Sequence, residues 1–142
     1  MRRLDLRAMV MGVLAVLGLT ACYEIFGPVW ATKLGSIMID SATSIVIPDS
    51  VAVSTDFTVS FQTGGGGCDR AGTTEVKVID SRTVELRPYD EYQVNPPSCT
   101  ANILFFRHTA TLQFDHTGIA TVRLIGAYND TTKTITKTVV VR

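Results

Sequence analysis

ILFFRHTATLQFDHTGIATVRLIGAY, residues 103–128, carries the alternation that decides the fold. Leu104, Phe106, His108, Ala110, Leu112 and Phe114 fall on one side of an extended chain, and Arg107, Thr109, Thr111 and Gln113 fall on the other. A period of two gives a strand one buried and one solvated face. After a short polar interruption the pattern resumes in GIATVRLIGAY with Ala120, Val122 and Leu124. Two strands that share a core are expected, joined through Asp115–Gly118.

The same period extends outward in both directions. In VSTDFTVSFQT, residues Phe57, Val59 and Phe61 alternate with Thr58, Ser60 and Gln62. EVKVID and TVELR, separated by Asp80-Ser81-Arg82, read as a hairpin that buries Val76, Val78, Val84 and Leu86. The closing TKTITKTVVVR is rich in threonine and valine, and its Lys133 and Lys137 are of the kind that protect an edge strand from pairing with another chain. No window downstream of the N-terminal region has helical periodicity, and no internal repeat is present. The expectation is an all-β, antiparallel sandwich of about seven short strands over residues 44–142.

The N-terminal region is of another kind. Arg2, Arg3 and Arg7 precede an apolar run from Ala8 to Leu19, which ends in small residues and Cys22. This is the layout of a helical secretory signal, and its apolar run is too short for a span, which needs about 20 residues. Leu19-Thr20-Ala21-Cys22 resembles the lipobox of bacterial lipoproteins. The resemblance implies cleavage after residue 21, a diacylglyceryl group on the Cys22 thiol and attachment to membrane lipid. Residues 1–21 are then the signal peptide and 22–43 the lipid anchor and apolar tether. An uncleaved transmembrane helix over about 8–31 is the alternative, with Glu24 as its only charge. The tether holds Tyr23, Phe26 and Trp30, which suit a bilayer interface, the domain's own surface or, in an accessory subunit, contact with a partner in a membrane complex.

Removing residues 1–21 leaves 121 residues, enough for one domain, with 10 basic residues against 12 acidic and a formal net charge near −2. There is no basic surplus to neutralise phosphates, so nucleic acid is not expected as a partner. Cys68 and Cys99 are the remaining pair of cysteines in an exported chain and are expected to bond to each other.

Phe114-Asp115-His116-Thr117-Gly118-Ile119-Ala120-Thr121-Val122 resembles the E–F corner of immunoglobulin-like domains of bacterial surface proteins, with its Asp-x-x-Gly-x-Ala-x-Val pattern. The resemblance implies an Ig-like sandwich. The antibody-type cysteine spacing is absent, and Trp30, the single tryptophan, lies outside the sandwich region.

Few residues offer chemistry. TGGGGCDRAGTT has glycines spaced as in a phosphate loop but Thr73 where the lysine belongs, so it reads as a flexible loop tied down by Cys68. His108, Asp115 and His116 are the candidates for a metal site or a proton relay. His108 lies on the apolar side of its strand, and Asp115 fits a corner residue that accepts backbone N–H groups. No Gly-x-Ser-x-Gly elbow is present. Tyr89-Asp90-Glu91-Tyr92, between Pro88 and Pro96-Pro97, reads as an exposed loop whose tyrosines suit a partner contact. The expected protein is therefore a non-catalytic envelope lipoprotein without a cofactor, an interaction module or accessory subunit that meets an envelope protein or surface polymer. It is anchored to the cell or outer membrane with its domain on the periplasmic or extracellular side. The alternative is a metal-binding or hydrolytic envelope protein that uses its histidines.

Overall fold

The computed structural model describes residues 27–37 and 45–142. Residues 1–26, with the expected signal, Cys22, Tyr23 and Phe26, lie outside the described residues.

Among the described residues there are nine strands and no helix: β1 Trp30–Leu34, β2 Ile45–Val46, β3 Ser50–Val51, β4 Phe57–Gly65, β5 Asp69–Asp80, β6 Thr83–Gln93, β7 Leu104–Leu112, β8 Gly118–Tyr128 and β9 Thr131–Val141. The larger sheet runs β1-β6-β8-β9-β3, with β5 on the other edge of β6, and the smaller runs β2-β4-β7. The alternating faces meet between them. Val59, Phe61, Ala110, Leu112 and Phe114 of the smaller layer pack with Val84, Leu86, Ala120, Val122, Leu124, Val139 and Val141 of the larger. The two-sheet, all-β expectation holds.

Several finer expectations do not. The count is nine, and β5, β6, β8 and β9 each run 11 or 12 residues. The pairing is not wholly antiparallel, because β6 lies parallel to β8 and β3 parallel to β9. The domain also starts before residue 44. β1 pairs with β6 from Trp30↔Gln93 to Leu34↔Tyr89, and Ile37 is buried in the core. Trp30–Leu34 of the supposed tether is thus a strand of the sheet. Gly64 and Gly65 end β4, and β5 begins at Asp69, so the glycine-rich loop shrinks to a turn in which Asp69 N donates to Gly66 O at 3.0 Å. The Cys68–Cys99 disulfide is formed and ties this turn to the loop between β6 and β7.

Tyr89–Tyr92 is not a loop either. β6 runs through Pro88, which sits where the strand exchanges its parallel partner β8, at Thr83–Leu86, for its antiparallel partner β1, at Tyr89–Gln93. On the opposite edge β5 shifts register between Ala71 and Thr74. A proline is tolerated in a sheet at such an irregularity, where no regular ladder needs its missing N–H. The Pro88 carbonyl is used, accepting from Gly35 N at 2.9 Å.

Gly35 opens the segment that stitches the two sheets together. Ser36 bridges Gly64 of β4 and Ala127 of β8, and Ile37 N donates to Ala127 O at 2.9 Å. The approach is so close that a Cβ on Gly35 would lie 2.6 Å from Thr63 Cγ2 and 2.8 Å from Asp90 Oδ2. Only glycine fits there.

β9 has the expected exposed edge. Among the described residues its one outer neighbour, β3, reaches only Val140 and Val141, which leaves Lys133 and Lys137 along an open margin. The corner between β7 and β8 also lies where expected. Asp115 accepts from the Ser54 hydroxyl at 3.2 Å rather than from backbone N–H, Arg82 Nη2 donates to Thr117 O at 3.1 Å, and Gly118 has φ +120°. A side chain at Gly118 would be forced into a conformation that costs about 1–2 kcal/mol, and its Cβ would sit 3.4 Å from Arg82 Cζ. Gly118→Val is therefore expected to lower stability by at least about 1 kcal/mol in denaturant titration. An unchanged midpoint would show that the corner does not need its glycine.

Candidate functional site

The described residues that carry chemistry divide into a sealed polar cluster, an exposed corner and an open flank. The cluster is built on inward positions of three strands. Thr63 follows Val59 and Phe61 on the buried side of β4, His108 precedes Ala110 and Leu112 on β7, and Asp90 continues the Val84, Leu86, Pro88 series of β6. The two sheets therefore bring them face to face. His108 Nε2 lies 2.9 Å from Asp90 Oδ1, the Thr63 hydroxyl donates to the same oxygen at 3.0 Å, and Thr63 Oγ1 lies 3.1 Å from His108 Nε2. Thr74 Oγ1 of β5 reaches His108 Nδ1 at 3.4 Å, and Phe61 stacks on the imidazole with ring centroids 5.6 Å apart.

This arrangement is a clamp rather than a relay. Carboxylate and hydroxyl both engage the same ring nitrogen, and the His108 and Asp90 side chains are 1% and 0% exposed. A substrate has no path to them. Their chemistry is cohesion, since each satisfies a polar group that burial has stripped of water. Asp90 Oδ2 is buried without a hydrogen-bond partner, against Gly35.

His108 is thus held apart from the histidine and aspartate with which its sequence spacing groups it. Asp115 and His116 sit on the exposed corner between β7 and β8. Among the described residues no three His, Cys, Asp or Glu side chains gather as metal ligands. The two tyrosines also separate. Residues three apart in a strand point to opposite faces: Tyr89 donates to Glu75 Oε2 at 3.2 Å on the outer face of the larger sheet, and Tyr92 lies on the other face near Lys33. They do not form one contact surface. Trp30, on β1, stacks under the Arg70 guanidinium at 3.9 Å.

The open flank comes from a mismatch between the layers. Val76 and Val78 pair across β5–β6 with Leu86 and Val84 and share their inward face, yet Val76 is 43% and Val78 69% exposed. β7 ends the smaller sheet before it covers them. The outer edges of β5 and β7 are both free of strand partners among the described residues. Between the β5–β6 hairpin end and the corner after β7 lies an open cavity of about 190 Å³, with Val78, Val84 and Phe114 as its apolar lining and Asp80, Asp115 and His116 among its polar residues. A second, shallower hollow of about 350 Å³ lies between Ser36, Gly64–Gly66 and Thr100–Ile103, where no ionisable side chain lines it.

Asp90 and Thr63 are the members of the cluster that sequence reasoning missed. The signal was present, because Asp90 keeps the period of two set by Val84 and Leu86. Pro88 hid it by looking like a turn.

Two outcomes follow from these positions. Removing His108 leaves a buried carboxyl with a hydroxyl as its sole partner, and opens a cavity beneath Phe61. His108→Ala should therefore cost about 3 kcal/mol or more in stability, against no more than about 0.5 kcal/mol for His116→Ala on the exposed corner. At the end of β5, the Arg82 backbone N–H, 2.8 Å from Asp80 Oδ1, holds the Asp80 carboxyl below its ordinary range. A lowered folded-state value favours the fold above the unfolded carboxylate's value near about pH 4, and the gain is lost as pH falls through the folded value. Asp80→Asn should thus lower the thermal midpoint at pH 7, and the gap to wild type should close on acidification toward pH 2.

No protein-family model matches the chain, and no curated protein or solved structure matches it.

Proposed function

We propose that this chain is a non-catalytic envelope lipoprotein, anchored through acylated Cys22, whose Ig-like sandwich binds an extended segment of an envelope protein partner along the β5 flank. The observation that carries the reading is the exposure of Val76 and Val78 on a face whose neighbours are core. An added strand could pair with a free edge and cover both valines. Main-chain hydrogen bonds then supply affinity, and the pockets for alternate side chains supply selectivity. The cavity beneath Val78 provides such a pocket.

Other features support the remaining parts. Leu19-Thr20-Ala21-Cys22 supports the anchor and export, and a Cys68–Cys99 bond suits an oxidising compartment. The Asp115–Gly118 corner with its positive φ at Gly118 supports the Ig-like assignment. The histidines favour the non-catalytic role over a hydrolytic or metal-binding one, since His108 is committed to the clamp and His116 stands apart from it.

A photo-reactive residue in place of Val76 or, separately, of Val78, introduced in the native host, is expected to give a discrete crosslinked adduct. The same residue at Thr136, on the exposed outer side of β9, should give none. Val78→Glu should weaken capture of the same partner without shifting the unfolding midpoint. Absence of any adduct from positions 76 and 78 in membrane-attached protein would overturn the flank reading. Cys22→Ala is expected to abolish lipid labelling, and labelling that persists would overturn the anchor.

A further inference from the structure

One end of the larger sheet gathers large apolar side chains that the core does not use. There the start of β1, the end of β6 and the start of β5 lie side by side, with Trp30 opposite Gln93 and Tyr92 opposite both Ala31 and Asp69. Val94 N donates to Val29 O at 2.7 Å, and Gln93 N to Cys68 O at 3.0 Å, so this tip is fixed by backbone bonds. Trp30, half-buried beneath the Arg70 guanidinium, and Tyr92 lie on opposite faces of this sheet end, so both rings meet a surface that the end enters edge-on. Val29 is 65%, Tyr92 38% and Val94 36% exposed.

The cations at this end are already paired. Lys33 Nζ meets Asp69 Oδ2 at 2.8 Å, and Arg70 Nε meets Glu91 Oε2 at 2.6 Å. The tip is therefore apolar and aromatic without a net charge. That chemistry belongs at a lipid–water interface, where amphipathic rings settle at headgroup depth, and it does not call for anionic lipid.

The geometry points to this tip, Val29, Trp30, Tyr92 and Val94, as a surface that seats in the bilayer interface and fixes how the domain stands on the membrane. The proposal rests on the reading of Cys22 as the lipid anchor. Its support is the length of chain between them. Seven residue steps separate Cys22 from Val29 and reach at most about 25 Å when fully extended, whereas a domain of this size is about 35 Å across. The tether is too short to let the domain turn its tip away from the bilayer. Of all the described residues, Gly27–Val29, which lead into β1, are the nearest along the chain to the anchor.

Trp30 is the only tryptophan, so its fluorescence reports the tip alone. The full acylated protein would be reconstituted into phosphatidylcholine vesicles with brominated acyl chains and, in parallel, into unbrominated ones, with flotation measured on the same samples. The expected result is co-flotation, with Trp30 emission falling to about half in brominated vesicles and unaffected by added salt. Val29→Asp combined with Val94→Asp should restore the emission while flotation and the unfolding midpoint stay unchanged. Protein that floats but shows equal emission in both lipids overturns the seating and leaves the anchor standing. Protein that fails to float overturns the anchor reading, and the seating falls with it.

Discussion

A carboxyl group that burial has removed from water must find its partners inside the protein, and for Asp90 those partners come from the opposite sheet. This requirement fixes how the two layers meet. Thr63 of β4 and His108 of β7 reach across to β6, so the smaller sheet is centred over the end of β6 that holds Asp90. Sliding either strand by one residue would swap these groups for outward side chains such as Gln62 or Arg107 and strand the carboxyl. Hydrophobic contact between the layers is tolerant of small shifts, but the polar clamp is not. Gly35 follows from the same constraint, since the stitch between the sheets passes against Asp90 Oδ2 with no room for a Cβ.

The flank is the other consequence of that placement. With β7 held over Asp90 by His108, nothing in the smaller sheet extends over Val76 and Val78, and the far half of β5 overhangs. An exposed apolar edge is an aggregation hazard unless charges interrupt it. Here Glu75 and Lys77 alternate with the valines and face outward, opposite Arg87 and Glu85 of β6. Glu85 is further shared by Arg87 at 3.5 Å and Arg123 at 3.4 Å. Pairs this long and this exposed on their arginine side add at most about 1 kcal/mol each. Their larger effect is to give β5 one charged face and one apolar face, so that an incoming strand can be accepted on a single side.

What could be read from residues alone follows from the physics each feature uses. β4, β7 and β8 were legible because their alternation is uninterrupted and each has one buried face. The corner at Gly118 was legible because a positive φ leaves a mark on residue choice. Val76 and Val78 misled, since their pattern matches a buried strand face and only the width of the opposing sheet decides whether it is covered. β1 was hidden beside an export-type segment of similar hydropathy, and the Tyr89–Tyr92 segment was hidden by a proline whose tolerance depends on two partner strands changing at one residue. The polar clamp was half legible. His108 stood on the apolar side, but its partners lie 18 and 45 residues away and meet only through the sandwich.

β5 joins the two surfaces assigned here. It begins at Asp69, within the aromatic tip, and ends at Asp80, beside the flank cavity. From Asp69 to Val78 an extended strand covers about 30 Å, shortened by the register shift between Ala71 and Thr74. With the domain seated as proposed, Val78 would stand at a set height above the bilayer, beyond the headgroups and within reach of an extramembrane segment of the proposed partner. The disulfide stiffens the end of the sheet at which β5 begins. Cys68–Cys99 fastens the turn before β5 to the loop after β6, so this end of the sheet resists fraying. Under the proposed acylation of Cys22, a short tether, a stapled tip and one continuous strand would turn a lipid anchor, which by itself fixes only position, into a constraint on orientation.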